Sequence, residues 1–128
     1  MAVKIEGYTP EEILDFTDDD LRPYLFEAGG LTLRIGSAEI LGQVRRTDTR
    51  LTIELAHIEG GGEGVLPTLW VLANQYAKQR EMSQIEWILH AVSCAQPNLK
   101  LRHMLERRGF VVTRIEGIGE AYYLKYDL

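Results

Sequence analysis

The stretch that decides the fold is residues 51–70, which reads LTIELAHIEGGGEGVLPTLW. Residues 51–58 alternate apolar and polar side chains, a pattern typical of a β-strand. From residue 66 to residue 77, apolar side chains recur at helical spacing. A glycine-rich loop therefore joins a strand to the N-terminus of a helix. Backbone N–H groups of such a loop can bind a small anion, although a simple flexible turn would need the same glycines only for its bend.

Composition predicts one globular domain spanning residues 1–128. The 128-residue chain is 45% hydrophobic and 26% charged, which is ordinary for a globular protein. A net charge of −5 argues against a nucleic-acid partner. A single cysteine, Cys94, excludes an internal disulfide and fits a reducing compartment. Without a membrane-length apolar run or a secretory core, we expect a cytoplasmic protein with no membrane partner.

The rest of the chain predicts an α+β (mixed α/β) fold. Thr9 as N-cap and Pro10 at the first helical position predict a helix start, and a second helical piece is expected over 18–26. Glycine at position 109 should end the last helix. The predicted strands are 31–35, 40–46, 51–58, 85–92, 110–115 and 121–127, and the later helices are 65–81 and 96–108. The first three strands form an antiparallel meander, the last two a hairpin, and 51–92 a βαβ-like unit.

Two motifs in this order resemble the GNAT superfamily of acyl-CoA N-acyltransferases. In that family a strand ends in a loop of pattern Gln/Arg-x-x-Gly-x-Gly/Ala that opens a helix, and Gly62 and Gly64 occupy the two glycine positions. Later the family shows Asn, an amphipathic helix and then Gly-Phe opening a strand. Here Asn98 is followed at that spacing by Gly109 and Phe110.

The resemblance implies a GNAT-like fold, with a mixed, mostly antiparallel sheet of about six to seven strands flanked by helices on both faces. Two central strands, ending near Ile58 and Val92, would diverge and hold the pantetheine arm of acyl-CoA between them. The expected reaction transfers an acyl group, most simply acetyl, from acetyl-CoA or another acyl-CoA to a primary amine of a small molecule or peptide. The amine attacks the thioester directly, and no metal is involved.

The resemblance also suggests where catalysis and binding occur. Glu54 lies where some members carry a general base, and burial would raise its pKa, although it could simply be an exposed strand carboxylate. His57 could titrate near neutrality or be a rim histidine, and Tyr123 could replace a missing proton donor or only pack. His90 is expected to be a core histidine. The predicted cofactor-binding residues are Ile58, Gly60, Gly61, Gly62, Glu63, Gly64, Val65, Asn98 and Arg102.

Three residues depart from the family pattern. Glu59 stands at the Gln/Arg position of the loop and Glu63 adds a second acid, and both would repel phosphates. Leu105 stands where the family often has a tyrosine that protonates the thiolate. The alternative hypothesis is therefore a catalytically silent member of the fold that acts as a binding or assembly module. An exposed C-terminal strand could pair across a homodimer.

Overall fold

A computed structural model of the chain describes residues 4–5, 7–17, 19–20, 31–35, 37–59, 65–90 and 99–128. The glycine-rich loop at 60–64 and the segment 91–98 lie outside the described residues. Of the predicted helical piece at 18–26, only Asp19 and Asp20 are described, and both are helical.

Six strands form one sheet. They are β1 (Leu31–Ile35), β2 (Ala38–Arg46), β3 (Arg50–Glu59), β4 (Gln84–Leu89), β5 (Val111–Ile115) and β6 (Gly119–Asp127). Their order across the sheet is β1-β2-β3-β4-β6-β5, and every neighbouring pair is antiparallel except β3 with β4. The predicted mixed, mostly antiparallel sheet is thus confirmed, as are the meander, the βαβ unit and the C-terminal hairpin. The strand count is at the lower end of the prediction.

The C-terminal strand is an internal strand of the sheet. β6 pairs with β4 over residues 122–127 and with β5 over residues 119–123. The edge strand on this side is β5, where Val111 and Val112 are 59% and 48% exposed. Homodimer formation stays a prediction.

Three helices are described: α1 (Pro10–Asp15), α2 (Val65–Gln79) and α3 (Leu99–Arg107). The predicted cap of α1 is confirmed, because Thr9 and Glu12 form a reciprocal capping box. α1 packs on the end of α2, where Arg80 donates to the carbonyl of Phe16 at 2.9 Å. None of the described helices has the length and apolar character needed to cross a bilayer.

Strand register gives the central sheet one apolar face. Three rows of paired residues run across β2, β3, β4 and β6 on this face: Gly42–Leu55–Leu89–Tyr122, Val44–Ile53–Trp87–Leu124 and Arg46–Leu51–Ile85–Tyr126. Helix α2 covers them, with Trp70 stacked on Trp87 at 5.4 Å. Helix α3 contacts the same face, since Tyr122 donates its hydroxyl hydrogen to Glu106 at 3.1 Å. The main core therefore lies between this face and the helices.

The opposite side of the same strands is polar. Its two rows nearest the β3–β4 centre are Gln43–Glu54–Ile88–Tyr123 and Arg45–Thr52–Glu86–Lys125. We call these two rows, together with His90, which bonds to Glu54, the polar face. Alternation along each strand fixes this division, because successive side chains point to opposite sides of a sheet.

Helices α2 and α3 end in the same way with different residues. At the end of α3, Gly109 has a φ of +96° and Phe110 donates its backbone N–H to the carbonyl of Leu105 at 3.0 Å. At the end of α2, Glu81 has a φ of +57° and Met82 donates to the carbonyl of Ala77 at 2.9 Å. Both are Schellman-type ends, in which glycine is favoured at the left-handed position.

Replacing Glu81 with glycine should therefore stabilise the protein by about 0.5–1 kcal/mol, because glycine adopts this conformation without the Cβ strain. The matched change Gly109→Ala should destabilise it by about 1–2 kcal/mol. A Cβ at Gly109 would lie 3.8 Å from Leu124 Cδ1, an ordinary contact, so its cost comes from the backbone conformation. Urea unfolding measures both changes, and a midpoint for Glu81→Gly at or below the wild-type value would contradict the analysis.

Candidate active site

The site is built where the parallel pair β3 and β4 stops pairing. The ladder runs from Arg50 opposite Gln84 to Leu55 opposite Leu89. It closes with the backbone N–H of His90 donating to the carbonyl of Leu55 at 2.9 Å. β4 ends at Leu89, whereas β3 continues to Glu59. The β3–β4 ladder therefore ends at Leu55 and Leu89, and the predicted divergence of the two central strands stays a prediction, because residues 91–98 lie outside the described residues.

A bulge in β3 follows the end of this ladder. In the pairing with β2, Leu41 faces Ala56 and Ile40 faces Ile58, so His57 is an extra residue on β3. A bulge bends a strand and increases its twist. The bulge lies two residues beyond Leu55, the last residue of β3 that pairs with β4. On its other edge, β3 remains paired with β2. The irregularity in β3 therefore lies just beyond the last position paired with β4.

Glu54 lies on the polar face next to this point. Its Oε1 accepts a hydrogen bond from Arg45 Nη1 at 3.0 Å, and its Oε2 lies 2.8 Å from His90 Nε2. The side chains of Glu54 and His90 are 21% and 25% exposed. Arg45 is held in turn by Gln43 at 2.7 Å. The half-buried carboxylate of Glu54 therefore connects Arg45, near the end of β2, with His90, just after the end of β4.

The expectation of a raised pKa for Glu54 is wrong. Burial raises the pKa of this carboxyl group, but the hydrogen bonds from His90 and Arg45 and their charges outweigh burial and lower it. Glu54 is consequently ionised at neutral pH and can only accept hydrogen bonds. His90 Nε2 must then be the donor in this hydrogen bond, because an ionised carboxylate only accepts.

Tyr123 lies in the same row as Glu54, two strands away, and its hydroxyl group is hydrogen-bonded to Glu86 and not to Glu54. It donates to Glu86 Oε2 at 2.5 Å, while Thr52 donates to Glu86 Oε1 at 3.1 Å. Burial, the hydrogen bond to Glu86 and the charge of Glu86 raise the pKa of Tyr123 to about 12. A phenol held by a carboxylate is a poor donor to a thiolate.

The other predicted site residues are placed differently. His57 and Ile58 are described by backbone only, and Val65 is the buried first residue of α2. Arg102 donates to the hydroxyl of Tyr122 at 3.2 Å, which places it against the apolar face and away from Glu54. The predicted residues outside the described ranges are Gly60, Gly61, Gly62, Glu63, Gly64 and Asn98.

The structure gives two residues, His90 and Leu105, positions that the sequence did not predict. His90, expected in the core, instead follows the last residue of β4 and bonds to Glu54 on the polar face. The available signal was a polar residue closing an apolar strand at its carboxyl end, where functional side chains of parallel strands collect. Leu105 is 2% exposed and belongs to the core, so its position faces away from the polar face.

No group of histidine, cysteine and acidic side chains suited to hold a metal ion occurs among the described residues. The ionisable groups at the end of the β3–β4 ladder instead form a carboxylate–imidazole pair supported by a guanidinium. Such a pair can hold and move protons.

No protein-family model and no curated protein matches the sequence. Among solved structures, the chain is similar to PaiA N-acetyltransferase from Thermoplasma acidophilum in complex with coenzyme A. That match has 12% identity, covers 98% of this chain and 100% of the other, and has a TM-score of 0.49. A second is Arabidopsis thaliana Naa50 in complex with the bisubstrate analogue CoA-Ac-MVNAL, at 12% identity, 100% coverage of both chains and a TM-score of 0.48. A third is a GNAT family acetyltransferase from Elizabethkingia anophelis with acetyl-CoA bound. That match has 12% identity, covers 98% of each chain and has a TM-score of 0.47.

The element order, the mixed, mostly antiparallel sheet and its single parallel pair agree with the GNAT-like fold that the two sequence motifs imply.

Changing Glu86 to glutamine should lower the pKa of Tyr123 from about 12 toward its ordinary value of 10.0, while burial keeps it above that value. A raised phenol pKa in the folded state stabilises the fold below pH 10, and that stability is lost as the pH rises from 10 to 12. Glu86→Gln should therefore reduce the loss of stability over this window. Alkaline absorbance titration, with Tyr123→Phe to identify the signal, measures the shift, and an unchanged curve for Glu86→Gln would contradict the assignment.

Proposed function

We propose that this protein is an N-acyltransferase that moves an acyl group, most simply acetyl, from acyl-CoA to a primary amine of a small molecule or peptide. The observation that carries the proposal is the end of the β3–β4 ladder at Leu55 while β3 continues to Glu59. Backbone groups on the released edge of β3 are suited to pair with an extended, amide-containing chain, as an added strand would. Pantetheine is such a chain.

The proposed cosubstrate would have its reactive end beside the polar face. A chain laid along residues 56–59 reaches the last rung of the ladder at Leu55, where Glu54 and His90 are joined. Its other end points toward the glycine-rich loop predicted to bind the diphosphate. This arrangement supports direct transfer, since an amine near Glu54 and His90 would approach the thioester without a covalent enzyme intermediate.

Acetyl-CoA should bind the protein with a dissociation constant in the micromolar range, which isothermal titration calorimetry measures directly. Absence of heat at millimolar acetyl-CoA would overturn the proposed function. Desulfo-CoA is a useful second ligand, because it keeps the pantetheine and diphosphate contacts and lacks the thioester. Comparable affinities for acetyl-CoA and desulfo-CoA would show that most of the binding free energy comes from contacts with the pantetheine arm and the diphosphate.

The acidic loop should weaken this binding, and removing its charges should strengthen it. One unit charge near a phosphate costs about 1 kcal/mol in water at contact distance, or about fivefold in affinity. The double variant Glu59→Gln/Glu63→Gln should therefore bind acetyl-CoA several-fold more tightly, with a smaller gain at high salt. Equal affinity for both proteins at low salt would show that the two carboxylates point away from the diphosphate. The exposed pair Glu11→Gln/Glu12→Gln on α1 is a charge-matched control.

The alternative function, a silent member of the fold used as a binding module, is favoured by two observations. Leu105 is buried in the core at the position of the family tyrosine, and the hydroxyl of Tyr123 is held by Glu86. Neither can readily protonate a leaving thiolate. Thiol release from acetyl-CoA with a panel of small amines and short peptides separates the two functions. Release above the hydrolysis background rejects the silent module, and binding without release supports it.

A further inference from the structure

The outer edge of β6 is only partly covered by β5. On one edge, β6 pairs with β4 over residues 122–127, and on the other it pairs with β5 over residues 119–123. Because β5 begins at Val111, opposite Tyr123, no described strand lies on the β5 side of the last residues of β6. The described sheet therefore has an open step beside residues 124–127, and we call this step the β6 edge.

The hydrogen bonds of β6 show which main-chain groups face this edge. Leu128 donates its N–H to the carbonyl of Ser83, on the β4 side, at 2.8 Å. Along an antiparallel strand, the N–H and C=O groups of successive residues point to opposite edges. Tyr126 therefore faces β4, as Leu128 does, whereas Lys125 and Asp127 direct their main-chain groups outward. An edge of this kind is a template for pairing with another strand.

We propose that the β6 edge joins two copies of the chain, with the β6 strands of both copies paired antiparallel across a two-fold axis at Tyr126. Lys125 of each copy then faces Asp127 of the other, and the two residues exchange N–H···O=C hydrogen bonds. The sheets of the two copies become one continuous sheet through β6. This dimer does not depend on acyl transfer, and it applies equally to the alternative of a silent binding module.

The charges on the edge select this register. A shift that sets Lys125 against Lys125 of the second copy also sets Asp127 against Tyr123, whose outer groups are already paired with β5. The opposite shift sets Asp127 against Asp127. Like charges directly opposite each other destabilise a strand pair, whereas opposite charges stabilise it. Lysine on an exposed edge normally discourages pairing, but in the proposed register alone each Lys125 meets an acid.

The two charged side chains are placed to meet a second copy. Lys125 and Asp127 are both exposed and lie on the same side of β6, because they are two residues apart on one strand. Gln84 donates to Asp127 Oδ1 at 3.0 Å, which holds the carboxylate near the edge. An ionised carboxylate offers about four acceptor positions, so this bond leaves room for a lysine.

Exposed apolar side chains flank the same edge. Val111, the first residue of β5, is 59% exposed, and Leu128 is 41% exposed. In the proposed register, Leu128 of one copy lies beside Leu124 of the other, next to the start of β5. The dimer would therefore remove apolar surface of Leu128 and Val111 from water at both ends of the shared pairing.

Sedimentation velocity from micromolar to near-millimolar chain concentration tests the dimer. The wild type should change from monomer to dimer over this range. Lys125→Asp and Asp127→Lys each replace two attractive contacts by two repulsive ones, so each should raise the dimer dissociation constant by about tenfold or more. The double variant Lys125→Asp/Asp127→Lys restores opposite charges and should dimerise as the wild type does. The exposed changes Lys78→Asp and Asp48→Lys are charge-matched controls and should leave dimer formation unchanged.

Mixing the two single variants separates a lost interface from a lost fold. In a mixture of Lys125→Asp and Asp127→Lys, one copy carries acids at both positions and the other carries lysines at both. Each variant alone should stay monomeric, whereas the mixture should form a heterodimer, which native mass spectrometry identifies by its mass. A folding defect in either variant would not produce this mutual rescue, and circular dichroism of each variant checks the fold directly.

Amide hydrogen exchange followed by NMR tests the main-chain bonds. Higher wild-type concentration should slow exchange at Lys125 and Asp127, whereas the amide of Tyr126, which faces β4, should be protected at every concentration. A wild type that stays monomeric up to near-millimolar concentration overturns the proposal. A dimer that both single variants form as readily as the wild type overturns it too, as does a mixture without heterodimer or a double variant that stays monomeric. Each of these results leaves the proposed acyl transfer untouched.

Discussion

The structure depends on one limited ladder of hydrogen bonds, the six paired positions between β3 and β4. This pair is the only parallel one in the described sheet, and it is connected by the crossover helix α2. Up to Leu55, β3 has partners on both edges. Beyond Leu55 it has β2 on one edge and no described strand on the other. Main-chain N–H and C=O groups need partners, so the released edge of β3 must bind water, other parts of the chain or a ligand.

The same ladder also determines the chemistry at its end. Because pairing fixes which residues face each other, Glu54 and His90 can meet on one side only while Leu55 and Leu89 face α2 on the other. A slip of one residue would bury the carboxylate and expose the leucines, which the apolar face forbids. The packing of α2 against Trp87 therefore stabilises the arrangement of the polar face as well as the core. The register of β3 against β4 therefore determines both the packing of the core and the arrangement of Glu54 and His90.

Local sequence patterns predicted most of the fold. Alternation and helical periodicity located the six described strands and the three described helices, and Thr9 and Gly109 gave one helix start and one helix end. The position of β6 between β4 and β5 could not be read locally, because it depends on which strands pair over long separations. The bond between Glu54 and His90 joins residues 36 positions apart and exists only once that register is set. The hydrogen bonds from His90 and Arg45 lower the pKa of Glu54. Because these partners cannot be identified from the sequence, the sequence led us to expect a raised pKa.

The lack of a tyrosine at Leu105 is less costly to a transferase than the lack of a base would be. A thiol with a pKa of about 8.5 is only about 1.5 units above neutral, so expelling it as a thiolate at pH 7 costs about 2 kcal/mol. A primary amine with a pKa of about 10.4 is neutral in about one molecule in 2,500 at pH 7, and freeing its electron pair costs about 4.6 kcal/mol. The larger of the two barriers is thus the deprotonation of the amine. A buried leucine at position 105 would therefore cost a transferase only the smaller of the two contributions.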